Sequence, residues 1–221
     1  MDIIVSSISP AYVFISYALW IALICVAMVL APWHKIRDSQ ALNVYVGAIV
    51  VLFLIWGLKA EIRFGFNYHL VGATLLCLLF EWQFALMALA AIIAAHTINT
   101  GMAWSAYALN WLTLGLTPVL FTRIALYYCQ RYLPHNFFIY IFLNAFFAAG
   151  IAVYLSGSLS GVLLYLLGPW SAEHLFDQHM MTMLLLVFPE AALTGMMMTL
   201  FVVYKPHWVA TFHDSWYLKN R

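Results

Sequence analysis

Two histidines, His69 and His96, lie at the two ends of an apolar stretch that Glu81 interrupts near its middle. Imidazole nitrogens are ligands for transition-metal ions and for haem iron. If the chain turns at Glu81-Trp82-Gln83, the helices on either side are roughly 12 to 14 residues long, too short for a bilayer core of about 30 Å. His69 and His96 then meet at the open end of a hairpin. Broken apolar segments of this kind indicate ligand binding inside a membrane.

Three other polar side chains are candidates for supporting roles. Asn99 follows His96 by three positions on the same helical face, where it could orient the imidazole or satisfy backbone groups at a helix end. Glu190 lies near the centre of the last apolar segment, where an ionisable group needs a partner or a function. The alternative for Glu190 is a protonated or hydrogen-bonded carboxyl that locks a kink at Pro189. Glu81 is expected at the membrane interface, at the closed end of the hairpin.

The composition predicts an all-α integral membrane protein. Apolar residues make up 66% of the 221 positions and charged residues only 8%, which excludes a soluble globular domain. The net charge is +1 and no run of lysine or arginine occurs, which argues against nucleic acid as a partner and leaves membrane lipid. Tryptophans near segment ends, Trp56 among them, are interpreted as an interfacial aromatic belt.

About seven transmembrane segments are expected, together with a cytoplasmic tail at 205–221. The segments lie near 11–31, 42–58, 69–80, 83–98, 105–131, 137–167 and 180–204. Seven basic residues lie at or after the ends of odd-numbered segments, whereas only Lys59 and Arg63 fall on the other side. The positive-inside rule therefore places the N-terminus outside and the C-terminus in the cytoplasm.

The sequence contains no motif for nucleotide binding or for catalysis. It has no GxxxxGK[ST] loop, no GxGxxG, no HExxH and no GxSxG. We therefore expect a protein that is not an enzyme and that binds no nucleotide. Energy for any transport would come from an ion gradient, a membrane potential or another subunit.

The segment YHLVGATLLCLLFEWQFALMALAAIIAAHTIN, residues 68–99, resembles the core of the CbiM/NikM permeases. These are the substrate-binding membrane components of energy-coupling-factor transporters for cobalt and nickel. The matching elements are His69 to Gly72, the turn at Glu81-Trp82, the helix to His96, and the stretch from Asn99 to Asn110. The late segment PEAALTGMMMTLFVVYKP, residues 189–206, is similar to the last span of the family.

The resemblance implies a metal site at the start of the chain. In the family a mature Met-His terminus supplies its amine, a backbone nitrogen and an imidazole, and a histidine of the broken helix completes the set. The matching positions here are Met1, Asp2 and His69. A carboxylate at Asp2 in place of imidazole makes the ligand set harder and less suited to square-planar nickel. His96 is added to this set on the basis of the hairpin pattern, and the family resemblance does not imply it.

The resemblance thus implies the substrate-capturing permease of a cobalt- or nickel-like importer in a bacterial plasma membrane, with the divalent ion as substrate. A scaffold transmembrane subunit and ATPase subunits would be separate chains. Two alternatives stay open. One is a haem-binding electron-transfer subunit with His69 and His96 as axial ligands. The other is a membrane scaffold or assembly protein that transports nothing and satisfies its histidines internally.

Overall fold

Six helices in the computed structural model, which describes residues 8–58, 60–62, 66–167 and 179–213, are long and apolar enough to cross a membrane. We number them α1 to α6 in chain order. Their bounds are Pro10–Leu30, Ser39–Trp56, Ala73–Thr100, Trp104–Tyr132, Phe137–Leu167 and Met181–Tyr204. Between α2 and α3, strands β1 (Ala60–Ile62) and β2 (Phe66–Tyr68) form a short antiparallel pair.

The third helix, α3, is the buried centre of the bundle, and it is broken at Glu81. This residue has φ 69° and ψ 165°, outside the helical region. We call residues 73–80 the first arm and residues 82–100 the second arm. Both arms are buried along most of their length. The first arm rises only about 12 Å, so the broken-helix hairpin expected from the sequence is confirmed, with arms of unequal length.

The outer helices are apolar on all sides because their outward faces lie in the hydrocarbon of a bilayer. Helix α1 buries only Ser16 and Ala27 among its residues, yet it contains no Asp, Glu, Lys or Arg. Apolar side chains such as Phe14 and Val29 point outward. In water such a face would be an aggregation site, whereas in lipid its exposure carries no penalty.

Helices α5 and α6 pack closely because small residues line their contact. A Cβ atom on Gly150 would lie 3.0 Å from Val187 and 3.5 Å from Ala191, and one on Gly195 would lie 3.3 Å from Phe146. Contacts of this closeness replace the hydrophobic drive that lipid cannot supply between helices. The N-terminal part of α5 forms a π-helix over Tyr140–Phe147.

After α6, the chain turns back under the hairpin. A 3₁₀ turn at Pro206–Trp208 leads to residues 209–213, and we call 206–213 the C-terminal segment. The amide N–H of Ala210 donates to the carbonyl of Leu79 at 2.9 Å, and Thr211 Oγ1 donates to Leu78 at 2.7 Å. These bonds satisfy carbonyl groups at the end of the first arm that have no N–H donor within the helix.

Candidate functional site: a buried histidine pair

His69 and His96 lie together at the open end of the hairpin. Their ring centroids are 5.6 Å apart, and each residue is 2% exposed. A straight helix of 28 residues would be about 42 Å long, so only a reversal of the chain brings the rings this close. The reversal occurs at Glu81.

The turn at Glu81 is held from the connection between α1 and α2. The carboxylate of Glu81 pairs with the ammonium group of Lys35, and Gln83 Nε2 donates to the carbonyl of Leu30 at 3.1 Å. A residue other than glycine at φ 69° and ψ 165° is strained. The strain is tolerated because these contacts with the connection between α1 and α2 hold the turn in place. Glu81 therefore shapes the hairpin at the end opposite the histidines.

His69 belongs to a short loop, residues 69–72, whose backbone is fixed at several points. We call it the His69 loop. Its last residue, Gly72, has φ 66°, and a Cβ atom there would lie 2.5 Å from Leu52 Cδ1. Only glycine fits that conformation and that space. The carbonyl of Gly72 accepts from Leu76 N–H at 3.1 Å, which starts the first arm.

Trp56, the last residue of α2, forms one wall of the histidine site. Its ring centroid lies 4.1 Å from that of His69 and 5.4 Å from that of His96. The indole Nε1 also donates to the carbonyl of Val71 at 3.3 Å. Trp56 is fully buried, so it is not part of an interfacial belt, and that interpretation is wrong for this residue. Its role is to fix the His69 ring and the loop behind it.

Glu190 on α6 closes the site from the other side. Its Oε2 accepts from Val71 N–H at 2.8 Å and its Oε1 accepts from Gly72 N–H at 2.7 Å. The carboxyl is 3% exposed. Both oxygens therefore bind the His69 loop: the carboxyl is hydrogen-bonded, as one expectation from the sequence has it, and its partners are main-chain groups of that loop.

The distance between the two imidazoles is compatible with one shared transition ion. Imidazole binds such ions at about 2.0–2.1 Å, which puts the centroids of two rings on one ion roughly 4 to 6 Å apart. Within the described ranges, His, Cys, Asp and Glu form no group of three that could hold a metal. A complete coordination sphere therefore needs further ligands beside His69 and His96.

The packing around the rings disfavours haem. A haem iron held by two histidines needs an open slot between the imidazoles that admits the flat macrocycle. Here Trp56 packs against both rings, and both histidines are almost fully buried. A single small ion fits this arrangement better than a porphyrin.

Nearly the whole chain matches one protein family. The family is described as the cobalt uptake substrate-specific transmembrane region, CbiM, and it matches residues 3–208. The chain belongs to the CbiM family. The resemblance inferred from His69 to Asn110 and from the last span is thereby confirmed. No curated protein sequence matches this CbiM-family chain.

Two solved structures share the fold of this CbiM-family chain. One is described as a truncated transition metal transporter; it has a TM-score of 0.73 and 16% sequence identity, with 92% of this chain and 99% of that chain covered. The other is described as a transition metal transporter, with a TM-score of 0.71, 17% identity, and coverage of 90% and 91%. At identities this low, the structural similarity establishes a common fold and nothing more.

The CbiM-family fold separates the residues singled out from the sequence into three groups. His69, His96 and Glu190 lie around one loop. Asn99 is exposed, and among the described residues no hydrogen bond joins it to His96. Glu81 pairs with Lys35 at the opposite end. Met1 and Asp2 lie outside the residues that the structure describes, so their part in the site stays a prediction.

Sequence reasoning missed two contributors to this site. One is Trp56, because a position near a segment end does not distinguish a lipid-facing ring from a buried one. The backbone N–H groups of Val71 and Gly72 were missed because main-chain donors leave no signature of residue type. The Gly72 that precedes an apolar run was a usable signal, since glycine favours the left-handed conformation.

Proposed function

We propose that this chain captures a divalent transition-metal ion inside the membrane and is the substrate-binding component of an importer powered by separate ATPase subunits. The observation that carries the proposal is the buried pair of His69 and His96 at the open end of a broken transmembrane hairpin. Paired polar groups in a bilayer interior are costly and mark binding sites or pathways. The family membership supports metal uptake as the process.

In this mechanism the ion enters at the end of the bundle that holds the histidines. His69 and His96 supply two imidazole ligands, and the Met1 amine and the Asp2 carboxylate complete the set. Such a mixture of nitrogen and oxygen ligands admits cobalt or nickel and favours octahedral over square-planar geometry. The rigid packing around Trp56 and Glu190 excludes water from the imidazoles.

Release of the ion requires a partner, because we identify no nucleotide-binding motif in this sequence. A scaffold transmembrane subunit and ATPase subunits would move the whole chain so that the site opens to the cytoplasm. The bundle suits motion as one body, since α5 and α6 meet through small residues at Gly150 and Gly195.

The test is the metal content of the purified protein, with its native N-terminus and a C-terminal tag, measured by elemental mass spectrometry. We expect one cobalt or nickel ion per chain after reloading, and loss of that ion in His69→Ala. His207→Ala is the matched control, because His207 is an exposed histidine after α6. Equal metal in wild type and His69→Ala would refute the site. No ion in any trial would favour the scaffold alternative, and a Soret band would favour haem.

A further inference from the structure

Glu190 connects the last membrane span to the loop that carries His69. Each of its two carboxylate oxygens accepts one backbone N–H, from Val71 at 2.8 Å and from Gly72 at 2.7 Å. Both N–H groups directly precede the first arm, where the helix itself offers no acceptor. Consecutive backbone N–H groups of this kind form a concave anion site, and here a side chain from α6 fills it.

The same loop is fixed by two further bonds. The carbonyl of Val71 accepts from Trp56 Nε1 at 3.3 Å, and that of Gly72 accepts from Leu76 N–H at 3.1 Å. Val71 and Gly72 thus have both of their backbone polar groups occupied. The backbone that carries His69 is therefore held two and three positions along the chain, while the His69 ring itself packs against Trp56.

We propose that Glu190 is a positioning residue for ion capture: it holds the His69 loop at the distance from His96 that one ion can bridge, and it acts through the Val71 and Gly72 amides. This inference rests on the proposed capture of an ion by the two histidines. It adds that the last span sets the geometry of the site through Glu190, which lies 119 positions from Val71 in the sequence.

A carboxylate is the group that this position requires. Glutamine at position 190 would offer one acceptor oxygen and would turn its amide N–H₂ toward the second backbone donor. Aspartate would keep the charge but would be one methylene shorter, so it could not reach both amides with the same geometry. Both changes keep the two histidine side chains in the sequence and alter only the support behind His69.

The far end of the first arm supplies a matched control. There Thr211 Oγ1 donates to the carbonyl of Leu78 at 2.7 Å, and Thr211 is buried like Glu190. Thr211→Val keeps the shape of the side chain and removes this bond, together with the one between Thr211 Oγ1 and the Tyr140 hydroxyl, without touching the His69 loop. A general loss of stability in the first arm would affect both variants, whereas a positioning role would affect only Glu190.

The experiment is a titration of the full-length, detergent-purified protein with Co²⁺, followed by calorimetry and by the visible absorption of the bound ion. We expect Glu190→Gln to lower the affinity by about 10- to 100-fold and to shift the cobalt absorption bands. Glu190→Asp should show a smaller change of the same sign. Thr211→Val should bind Co²⁺ within about 3-fold of wild type with unchanged bands, because the imidazole geometry is intact.

Two results would overturn the inference. Glu190→Gln and Glu190→Asp could both bind Co²⁺ with wild-type affinity and wild-type bands, which would leave Glu190 with a structural role alone. Alternatively, Thr211→Val could weaken binding as much as Glu190→Gln, which would assign the effect to general stability. Absence of Co²⁺ binding by the wild type is a different outcome, since it would refute the capture function itself.

Discussion

The imidazole rings of His69 and His96 lie 5.6 Å apart, although 27 positions separate them in the chain. This relationship depends on the reversal at Glu81 and on the wall formed by Trp56, which contacts both rings. Two imidazoles at this distance are close enough for one bound cation to contact both, which is the geometry that the proposed ion site requires.

His96 is the ligand that the hairpin geometry adds to the proposed site, and its removal is a direct test of that geometry. We expect His96→Ala to lower Co²⁺ affinity at least tenfold and to change the visible spectrum of bound cobalt, because one nitrogen donor is lost. Calorimetric titration and absorption spectra measure both effects. Asn99→Ala is the control, since Asn99 is exposed three positions away. An unchanged spectrum in His96→Ala would remove His96 from the site.

Gly72 is predicted to tolerate no side chain. Gly72→Ala should cost about 2 to 4 kcal/mol, partly from the left-handed conformation at φ 66° and partly from the contact at 2.5 Å with Leu52. Gly101→Ala isolates the first term, because Gly101 has φ 67° and no atom within 4 Å of an added Cβ. That variant should cost only about 1 kcal/mol. Thermal unfolding in detergent compares the two.

The contact with Leu52 can be separated from the backbone term by a double-mutant cycle. In a Leu52→Ala background the added cost of Gly72→Ala should fall to about 1 kcal/mol, close to that of Gly101→Ala. Equal costs of Gly72→Ala in both backgrounds would show that the Leu52 contact is relieved by other means.

The sequence was sufficient for the class of fold and for the hairpin, because both depend on patterns of residue type. Long apolar runs determine membrane helices, and Glu81-Trp82-Gln83 in the middle of one run marks the turn. The partner of Glu190 could not be predicted, since it is the main chain of Val71 and Gly72 and lies across the bundle. Burial of Trp56 depends likewise on which helices pack together, and residue type alone does not determine it.

Glu81 is strained, and glycine should relieve that strain. Glu81→Gly removes a backbone penalty of about 1 to 3 kcal/mol and loses the partly exposed ion pair with Lys35, worth about 0 to 1 kcal/mol. We therefore expect Glu81→Gly to unfold at the same or a higher temperature than wild type. Glu81→Ala keeps the strain and loses the pair, so it should unfold at a lower temperature. If Glu81→Gly unfolded at a lower temperature than Glu81→Ala, this account would be contradicted.

Trp56 should report on the ion optically. Its ring lies 4.1 Å from that of His69, so a paramagnetic ion such as Co²⁺ bound there should quench its fluorescence. Trp56→Phe retains an aromatic wall, loses the bond to Val71, at a cost of about 1 kcal/mol, and should lose most of the quenching. Trp104→Phe is the control at an exposed tryptophan. Quenching that persists in Trp56→Phe would place the ion elsewhere.

The orientation in the membrane can be tested at two exposed positions, one at each end of the bundle. Ala103 follows the second arm near the histidine end, and His207 lies in the C-terminal segment below the turn. In a background without Cys25, Cys77 and Cys129, a membrane-impermeant maleimide should label Ala103→Cys in intact cells. His207→Cys should react only after permeabilisation. The basic residues Lys35 and Lys205 lie at the same end of the bundle as His207, and basic residues favour the cytoplasmic side.

The reverse labelling pattern would contradict import through this site. If His207→Cys reacted in intact cells and Ala103→Cys did not, the histidine pair would open toward the cytoplasm. The ion would then reach His69 and His96 from inside the cell, and capture from outside would require a path along the full length of the hairpin. Labelling of Ala103→Cys alone places the open end of the hairpin outside, where an imported ion first meets the protein.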